Sequence, residues 1–303
     1  MEITEYLDDM RKIVDRALDE YLQPKADIPK TLNEAMRYSV FAGGKRLRPI
    51  LCIASGEVVG VEEEAILPVA CAIEFIHTYS LIHDDLPAID NDDYRRGKLS
   101  NHKVFGEDIA IVAGDGLLTY AFEVISSSYS DRKVKPEVAL RLVQEISIAA
   151  GIAGMVAGQV VDIESMGEEP DKNILKYIHA HKTGAMITAS VRAGAIVADA
   201  TAQELAALTN YAKNLGLAFQ IVDDLLDVIG DRERLGKTAG KDAEQQKMTY
   251  VSLYGVEKAS QMARETMNQA QKALQIFGIK AEVLNRLADY VIDRQFQYAS
   301  RYV

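Results

Sequence analysis

The chain has 303 residues, 48% of them hydrophobic and 26% charged, and its 34 basic and 45 acidic side chains give a formal net charge of −11. This composition is typical of a globular protein with enough apolar side chains for a large core. The negative charge argues against general binding of nucleic acid or anionic membranes, because both need a broad positive field. An anionic ligand would therefore require a local basic cluster or metal ions.

The amino-terminal segment is amphipathic and acidic, without the layout of a secretory signal or an arginine-rich transit peptide. No stretch approaches the roughly 18 to 20 uninterrupted apolar residues expected of a membrane span. Cys52 and Cys71 lie in apolar surroundings without metal-ligand spacing, as expected of reduced, buried thiols. These features predict a cytoplasmic protein without a membrane span.

Helical periodicity of apolar residues covers nearly the whole chain, and strand-like alternation is scarce. The helical segments are rich in Ala, Leu, Ile, Met and Glu, and the linkers between them are short. We therefore predict one all-α domain spanning residues 1–303. In chain order the predicted helices are 3–22, 31–59, 64–86, 107–127, 136–164, 172–198, 202–229, 249–277 and 281–302.

Two segments are apolar almost all round, 64–86 and 215–229. A helix on the surface of a protein has a polar half, so these two segments are expected in the centre of a bundle or along an interface. Charged residues inside them are therefore conspicuous.

The second of these segments carries Gln220, Asp223, Asp224 and Asp227 at positions i, i+3, i+4 and i+7, which form one stripe on a helix. Buried carboxylates without compensation cost several kcal/mol each and repel one another. An exposed acidic stripe is the simpler alternative, but the apolar flanks disfavour it. Mg²⁺ would remove the repulsion, since it prefers carboxylate oxygens completed by water and substrate phosphates. The stripe therefore predicts a metal site.

A first acidic cluster, Asp84, Asp85 and Asp90, lies where the earlier apolar helix is predicted to end. His77 shares a helix face with Asp84, although a lone histidine is more often a core residue. Pro87 should end or kink the helix, which lets Asp90 fold back towards Asp84. A surface salt-bridge patch is the alternative explanation, and two such clusters in one chain weaken it.

Short basic islands stand out in this acidic chain and could bind a diphosphate that metal ions bridge to the acidic clusters. Glycines beside two of them, Gly43, Gly44, Gly236 and Gly240, would let the backbone approach a phosphate closely. The basic residues are Lys45, Arg46 and Arg48, then Arg95 and Arg96, then Lys182, and finally Lys237, Lys241 and Lys247.

Taken together, these motifs resemble those of the trans-prenyl diphosphate synthases, in particular the bacterial farnesyl diphosphate synthases. The resemblance runs from about Gly43 to Lys247 through GGKRLRP, FIHTYSLIHDDLPAIDNDDYRRGKLSNHKVFGE, GDGLL, HKTG, FQIVDDLLDV and LGKTAGKD. Two aspartate motifs in this order, with RRG after the first, are highly specific. The resemblance implies an isoprenoid synthase-type fold, a helical bundle around a central cavity, and a homodimer.

The resemblance also implies roles for individual residues. Three Mg²⁺ ions on the allylic diphosphate would be bound directly by Asp84, Asp90 and Asp223. The supporting acids would be Asp85, Asp224 and Asp227. The cationic contacts of the allylic diphosphate would be Arg95, Lys182, Lys237 and Lys247. The contacts of isopentenyl diphosphate would be Lys45, Arg48, His77 and Arg96. The oxygens turned towards the developing carbocation, beside the allylic diphosphate, would come from Thr183 and Gln220.

The implied activity is head-to-tail condensation of dimethylallyl or geranyl diphosphate with isopentenyl diphosphate. Tyr79 lies five residues before Asp84, about 7.5 Å along the helix axis, with Ser80 beside it. A bulky aromatic ring there would end the pocket after few isoprene units, although ordinary core packing also explains it. We therefore expect farnesyl diphosphate (C15) as the product, with geranylgeranyl diphosphate (C20) as the alternative.

Two other hypotheses remain open. A class I terpene cyclase would share the fold and the first acidic motif, but its second metal motif normally carries Asn, Ser or Glu ligands. A non-catalytic helical partner subunit would be expected to lack acidic or basic members of the site, and this chain retains them.

Overall fold

The computed structural model describes residues 2–131, 135–169, 171–229 and 248–299, and these are predominantly helical. The all-α prediction is confirmed. The helices are α1 (Ile3–Tyr21), α2 (Lys30–Val40), α3 (Leu47–Val59), α4 (Glu63–Asp84), α5 (Asn101–Phe105), α6 (Glu107–Asp131), α7 (Pro136–Ala150), α8 (Met155–Glu164), α9 (Lys172–Ile178), α10 (Ala185–Val197), α11 (Ala202–Ile229), α12 (Tyr250–Ala273) and α13 (Glu282–Ala299).

Three further elements were not predicted. A short antiparallel hairpin joins β1 (Tyr94–Arg95) to β2 (Lys98–Leu99). A π-helical turn, His179–Gly184, connects α9 to α10, and a 3₁₀ segment, Leu274–Ala281, connects α12 to α13.

The predicted helix 31–59 is two helices, because the chain between α2 and α3 leaves the helical conformation. Gly43 and Gly44 have φ angles of 105° and 127° there. Backbone with positive φ favours glycine and cannot continue a right-handed helix. Apolar periodicity resumes after the break, which is why the sequence pattern alone does not reveal it.

The predicted helices 136–164 and 172–198 are also interrupted. The first breaks between α7 and α8 at residues 151–154, where Gly151 and Gly154 lie. The second contains the π-helical turn, which shifts the backbone hydrogen bonding by one residue. Such turns occur often at functional sites.

Helix α4 lies in the centre of the molecule, packed against α3, α6 and α10, as its all-round apolar sequence predicts. Helices α3 and α10 approach closely because Gly194 has no side chain: a Cβ atom there would overlap the carbonyl oxygen of Cys52. The Ser55 hydroxyl donates a hydrogen bond to the Val191 carbonyl oxygen across the same contact, at 2.7 Å. Cys52 and Cys71 are both buried and free, as predicted.

Three stretches are long and apolar enough, by length and composition, to cross a membrane: Glu63–Asp84, Glu107–Ser127 and Pro136–Glu164. The sequence prediction counted only uninterrupted apolar residues and therefore did not single out these stretches. The first stretch is α4, which is 72% buried inside the protein. The other two are only 39% and 33% buried, so α6, α7 and α8 carry exposed apolar faces.

Candidate active site

Three adjoining cavities lie between α3, α4, α8, the π-helical turn and α11. The basic cavity, about 310 Å³, is lined by residues that include Lys45, Arg48, His77 and Arg96. The apolar cavity, about 320 Å³, is lined by residues that include Tyr79, Ser80, Asp84 and Met155. The acidic cavity, about 190 Å³, is lined by residues that include Asp162, Gln220, Asp223 and Asp224.

The cavities adjoin one another, because neighbouring ones share lining residues. Arg48 and His77 line both the basic and the apolar cavity. Lys182 and Thr183 line both the apolar and the acidic cavity. Asp84 of the first acidic cluster and Asp223 and Asp224 of the second, which are far apart in sequence, therefore line adjoining cavities.

Helix α4 ends at Asp84, and the chain then turns back on itself. The backbone N–H of Asp90 donates to the carbonyl oxygen of Asp84 at 2.9 Å, which confirms the predicted return of Asp90. Burial, together with the charges of Asp90 and Asp85, raises the pKa of Asp84 to about 6, against the opposing charges of Lys182 and Arg95. A cation beside Asp84 would stabilise its ionised form.

The Asp85 side chain is almost fully buried. Its carboxylate accepts a hydrogen bond from Arg95 Nε at 2.9 Å and a second one from Arg95 Nη2. Neither side chain is among the residues lining the three cavities. In this structure Arg95 therefore holds the acidic loop through Asp85, whereas the sequence analysis assigned it to a diphosphate.

Helix α11 carries the predicted stripe, and the structure gives its members different surroundings. Asp223 and Asp224 line the acidic cavity, whereas Asp227 is buried and does not line it. The Oδ2 atom of Asp224 accepts a hydrogen bond from the backbone N–H of Tyr250 at 2.7 Å, at the start of α12. Its carboxylate thus also fixes the packing of α11 against α12.

The π-helical turn places Lys182 between the two clusters. Its Nζ atom lies 2.6 Å from Oδ2 of Asp162 on α8. Burial opposes the charge of Lys182, but the carboxylates of Asp162, Asp84 and Asp90 outweigh it and raise its pKa. Gly158 permits this contact, since a Cβ atom there would lie 2.7 Å from the Lys182 Cα.

Sequence reasoning missed Asp162 and His179, which also line the acidic cavity. His179 Nε2 lies 3.8 Å from Asp224 Oδ2, and burial lowers the pKa of His179 to about 4. The one available signal for Asp162 was an acid at the end of an otherwise apolar segment, GMVAGQVVD.

The basic cavity carries positive charge that the described residues do not fully compensate. Burial and the charge of Arg96 lower the pKa of Arg48, and the buried Nε atom of Arg48 has no hydrogen-bond partner within the described residues. Burial and the nearby arginines also hold the pKa of His77 well below its usual value, so His77 is neutral. Such a cavity is suited to an anion.

Two glycines beside this cavity lie next to the Arg96 side chain. A Cβ atom at Gly44 would lie 2.7 Å from Cζ of Arg96, and the Arg96 guanidinium donates to the carbonyl oxygen of Gly43. The space that Gly44 leaves is thus occupied by Arg96. Lys45 is exposed, and its Nζ atom lies 5.3 Å from the centre of the Tyr290 ring.

The donor set fits Mg²⁺ bound together with an anionic ligand. Within the described residues, no three carboxylate, imidazole or thiol side chains converge as one complete metal site. Mg²⁺ is usually held by one or two carboxylates, with waters and phosphate oxygens completing its shell. Asp84 offers such a carboxylate to the apolar cavity and Asp223 offers one to the acidic cavity. The predicted contacts Lys237 and Lys247, like Lys241, Gly236 and Gly240, lie outside the described residues.

The chain is similar to several proteins of known activity. It is 50% identical to a dimethylallyltranstransferase of Fischerella ambigua, over 96% of this chain and 84% of that protein. It is 45% identical to a farnesyl diphosphate synthase of Geobacillus stearothermophilus, over 97% and 98% of the two chains. A geranylgeranyl diphosphate synthase of Cyanophora paradoxa is 44% identical, over 95% of each.

A solved structure agrees in fold. The FPP/GFPP synthase of Zymomonas mobilis superposes with a TM-score of 0.85 at 39% identity, covering 96% of this chain and 98% of that one. Residues 29–285 match the polyprenyl synthetase family. The chain belongs to the polyprenyl synthetase family and is a prenyltransferase of isoprenoid biosynthesis.

Proposed function

We propose that this prenyltransferase is a farnesyl diphosphate synthase, which condenses dimethylallyl and then geranyl diphosphate with isopentenyl diphosphate. The observation that carries the proposal is the set of three adjoining cavities. A basic cavity suits one diphosphate, an acidic one suits a second diphosphate with cations, and an apolar one suits a growing hydrocarbon chain.

Prenyl synthases are generally Mg²⁺-dependent, and we assign three ions to Asp84, Asp90 and Asp223, supported by Asp85, Asp224 and Asp227. When bound, Mg²⁺ supplies positive charge that stabilises the leaving diphosphate. The chain's own cations share this task. Lys182 binds the allylic diphosphate from the wall between the cavities, and Arg95 fixes the acidic loop near it. Lys237 and Lys247 complete the set in our assignment.

Isopentenyl diphosphate occupies the basic cavity in this proposal, held by Lys45, Arg48 and Arg96, with neutral His77 as a hydrogen-bonding partner. The allylic C–O bond breaks and leaves its electron pair on the diphosphate. The double bond of isopentenyl diphosphate then attacks the allylic cation, and the departing diphosphate takes the proton that is lost.

The cation needs protection and orientation during this reaction. Thr183 and Gln220 turn oxygen dipoles towards it, which stabilises developing positive charge. The apolar lining excludes the water that would quench it.

The direct test is to incubate the protein with dimethylallyl diphosphate, isopentenyl diphosphate and Mg²⁺ and to identify the products by mass. Farnesyl diphosphate as the main product supports the proposal. Cyclic terpenes would indicate a cyclase. No product from the chain alone, with activity only beside a second protein, would indicate a partner subunit.

Geranylgeranyl diphosphate is the second candidate product, because the chain is almost equally similar to a C20 synthase and a C15 synthase. The feature that favours C15 is Tyr79, a buried aromatic residue in the lining of the apolar cavity. Its ring lies below Asp84 on the same helix, where it limits the length of the hydrocarbon chain.

Replacing Tyr79 with Ala is expected to lengthen the product to C20 or beyond, because the cavity loses its aromatic floor. The measurement is the product profile by mass with geranyl and isopentenyl diphosphates. Tyr79→Phe is the matched control and should retain the wild-type length, since the ring is kept. An unchanged profile in Tyr79→Ala would remove this residue from length control.

We also propose that the protein is a cytoplasmic homodimer with one catalytic domain in each chain. Exposed apolar side chains lie on α6, on α7 and in the turn between α7 and α8, among them Val112, Leu140, Ile148 and Ile152. A patch of this kind on a water-soluble protein marks a contact surface.

Sedimentation analysis should give about twice the chain mass of 33.4 kDa. Leu140→Glu puts a charge on this face and should shift the protein towards monomer.

A further inference from the structure

We propose that Gly114 on α6 controls product length by setting how far the His83 ring enters the apolar cavity. This inference rests on the proposed prenyl transfer and adds a second determinant of length to Tyr79. Gly114 touches no substrate in this account and acts only through His83.

His83 stands between α6 and the apolar cavity. It is the residue before Asp84, and its side chain lines that cavity. On its other side, its Nε2 atom lies 3.0 Å from the carbonyl oxygen of Ile111 in α6. The ring also contacts Tyr79 edge to face, with centroids 5.7 Å apart. Two residues of one α4 face thus form a continuous wall.

The ring can lie this close to α6 only because residue 114 is glycine. A Cβ atom at Gly114 would overlap the imidazole, 2.6 Å from Cδ2 and 3.0 Å from Cε1 of His83. Non-bonded heavy atoms are at rest at about 3.5 to 4.0 Å, so the ring would have to move by about 1 Å.

The direction of that movement follows from what surrounds the ring. The described residues that line the apolar cavity include His83 and Tyr79 but none from α6. Atoms added on α6 push the imidazole away from α6, and in this proposal the ring moves towards the cavity that it lines or onto Tyr79. Either displacement takes space from a cavity of about 320 Å³.

The position of His83 predicts at which length the growing hydrocarbon chain is affected. It lies four residues closer to Asp84 than Tyr79 does, which is about 6 Å along the helix axis. A ring displaced there meets the growing chain earlier than the Tyr79 floor does. The shift should therefore favour release of a product one isoprene unit shorter.

The test compares Gly114→Ala with Gly116→Ala. Both put a methyl group on α6, but a Cβ atom at Gly116 would meet only Met36 Sδ at 3.4 Å and Leu32 Cδ1 at 3.7 Å, which are ordinary contacts. We expect the ratio of C10 to C15 products to rise about tenfold or more in Gly114→Ala, a typical effect of one misfitting methyl group. Gly116→Ala should keep the wild-type ratio.

Two variants at His83 show whether the effect passes through its ring. His83→Ala alone should keep the wild-type product length, because the Tyr79 floor remains, and adding it to Gly114→Ala should abolish the shortening. The KM for isopentenyl diphosphate should stay within about twofold in all four variants, because that substrate occupies the basic cavity; general distortion of the site would raise it.

An unchanged profile in Gly114→Ala, or shortening that persists in the double variant, would overturn the inference. If Gly114→Ala does not fold, as judged by circular dichroism, His83→Trp decides: a larger ring at this position should shorten the product, and the same product length as wild type rejects the role. Failure of the proposed function can be distinguished from failure of this inference, because wild type and Gly116→Ala would then form no prenyl product.

Discussion

Replacing Asp84 with Asn is expected to lower kcat for condensation of geranyl with isopentenyl diphosphate by about 10² to 10³-fold, the usual effect of removing one electrostatic stabiliser. The substitution keeps the size of the side chain and removes its charge. Asp84 lines the apolar cavity close to Lys182, and its ionised form is costly without a cation. Steady-state kinetics at saturating Mg²⁺ measure the effect.

Asp93→Asn is the matched control from the same acidic loop. Asp93 is largely exposed and pairs with Lys103 at 2.9 Å. An exposed pair of this kind contributes little, so we expect less than about a threefold change in kcat. Equal effects of the two substitutions, or near-normal kcat in Asp84→Asn, would contradict the role of Asp84.

Replacing Glu74 with Gln is expected to lower the free energy of unfolding by about 3 kcal/mol, because removal of one partner leaves a buried charge uncompensated. Glu74 Oε1 accepts from Arg46 Nη1 at 2.7 Å, and both side chains are 2% exposed. Arg46 also donates through Nη2 to the Val40 carbonyl oxygen at 2.6 Å, so the pair fixes the chain between α2 and α3. Urea unfolding followed by circular dichroism, at one protein concentration, measures the loss.

Asp15→Asn tests the same arginine from its exposed side. Arg46 Nε contacts Asp15 Oδ1 at 2.7 Å, but the Asp15 side chain is 39% exposed. Water replaces much of such an interaction, so this substitution should lower the free energy of unfolding by less than about 1 kcal/mol. A cost equal to that of Glu74→Gln would mean that burial does not set the strength of these pairs.

Features that depend on local periodicity could be predicted from the sequence. Helix α11 has the predicted bounds, and its stripe brings Gln220, Asp223 and Asp224 to one cavity because helical spacing alone determines which residues share a face. The return of Asp90 towards Asp84 was also predictable, since Pro87 cannot continue the helix.

Features that depend on contacts between distant segments could not be predicted. The break at Gly43 and Gly44 and the π-helical turn interrupt segments whose apolar pattern continues on both sides. The pairing of Lys182 with Asp162 depends on how α8 packs against that turn. Likewise, nothing local indicates that Arg95 is engaged with Asp85 in this structure.

The central claim is that two acidic clusters far apart in sequence act on one diphosphate through Mg²⁺. A double-mutant cycle of Asp84→Asn and Asp223→Asn tests it most directly, with calorimetric titration of inorganic diphosphate in the presence of Mg²⁺. If both clusters bind one ligand, each single substitution should weaken binding strongly, the double substitution should add little, and the coupling should exceed about 1 kcal/mol. If the losses of binding free energy in the two single variants add up to the loss in the double variant to within about 0.5 kcal/mol, as for independent sites, the claim is contradicted.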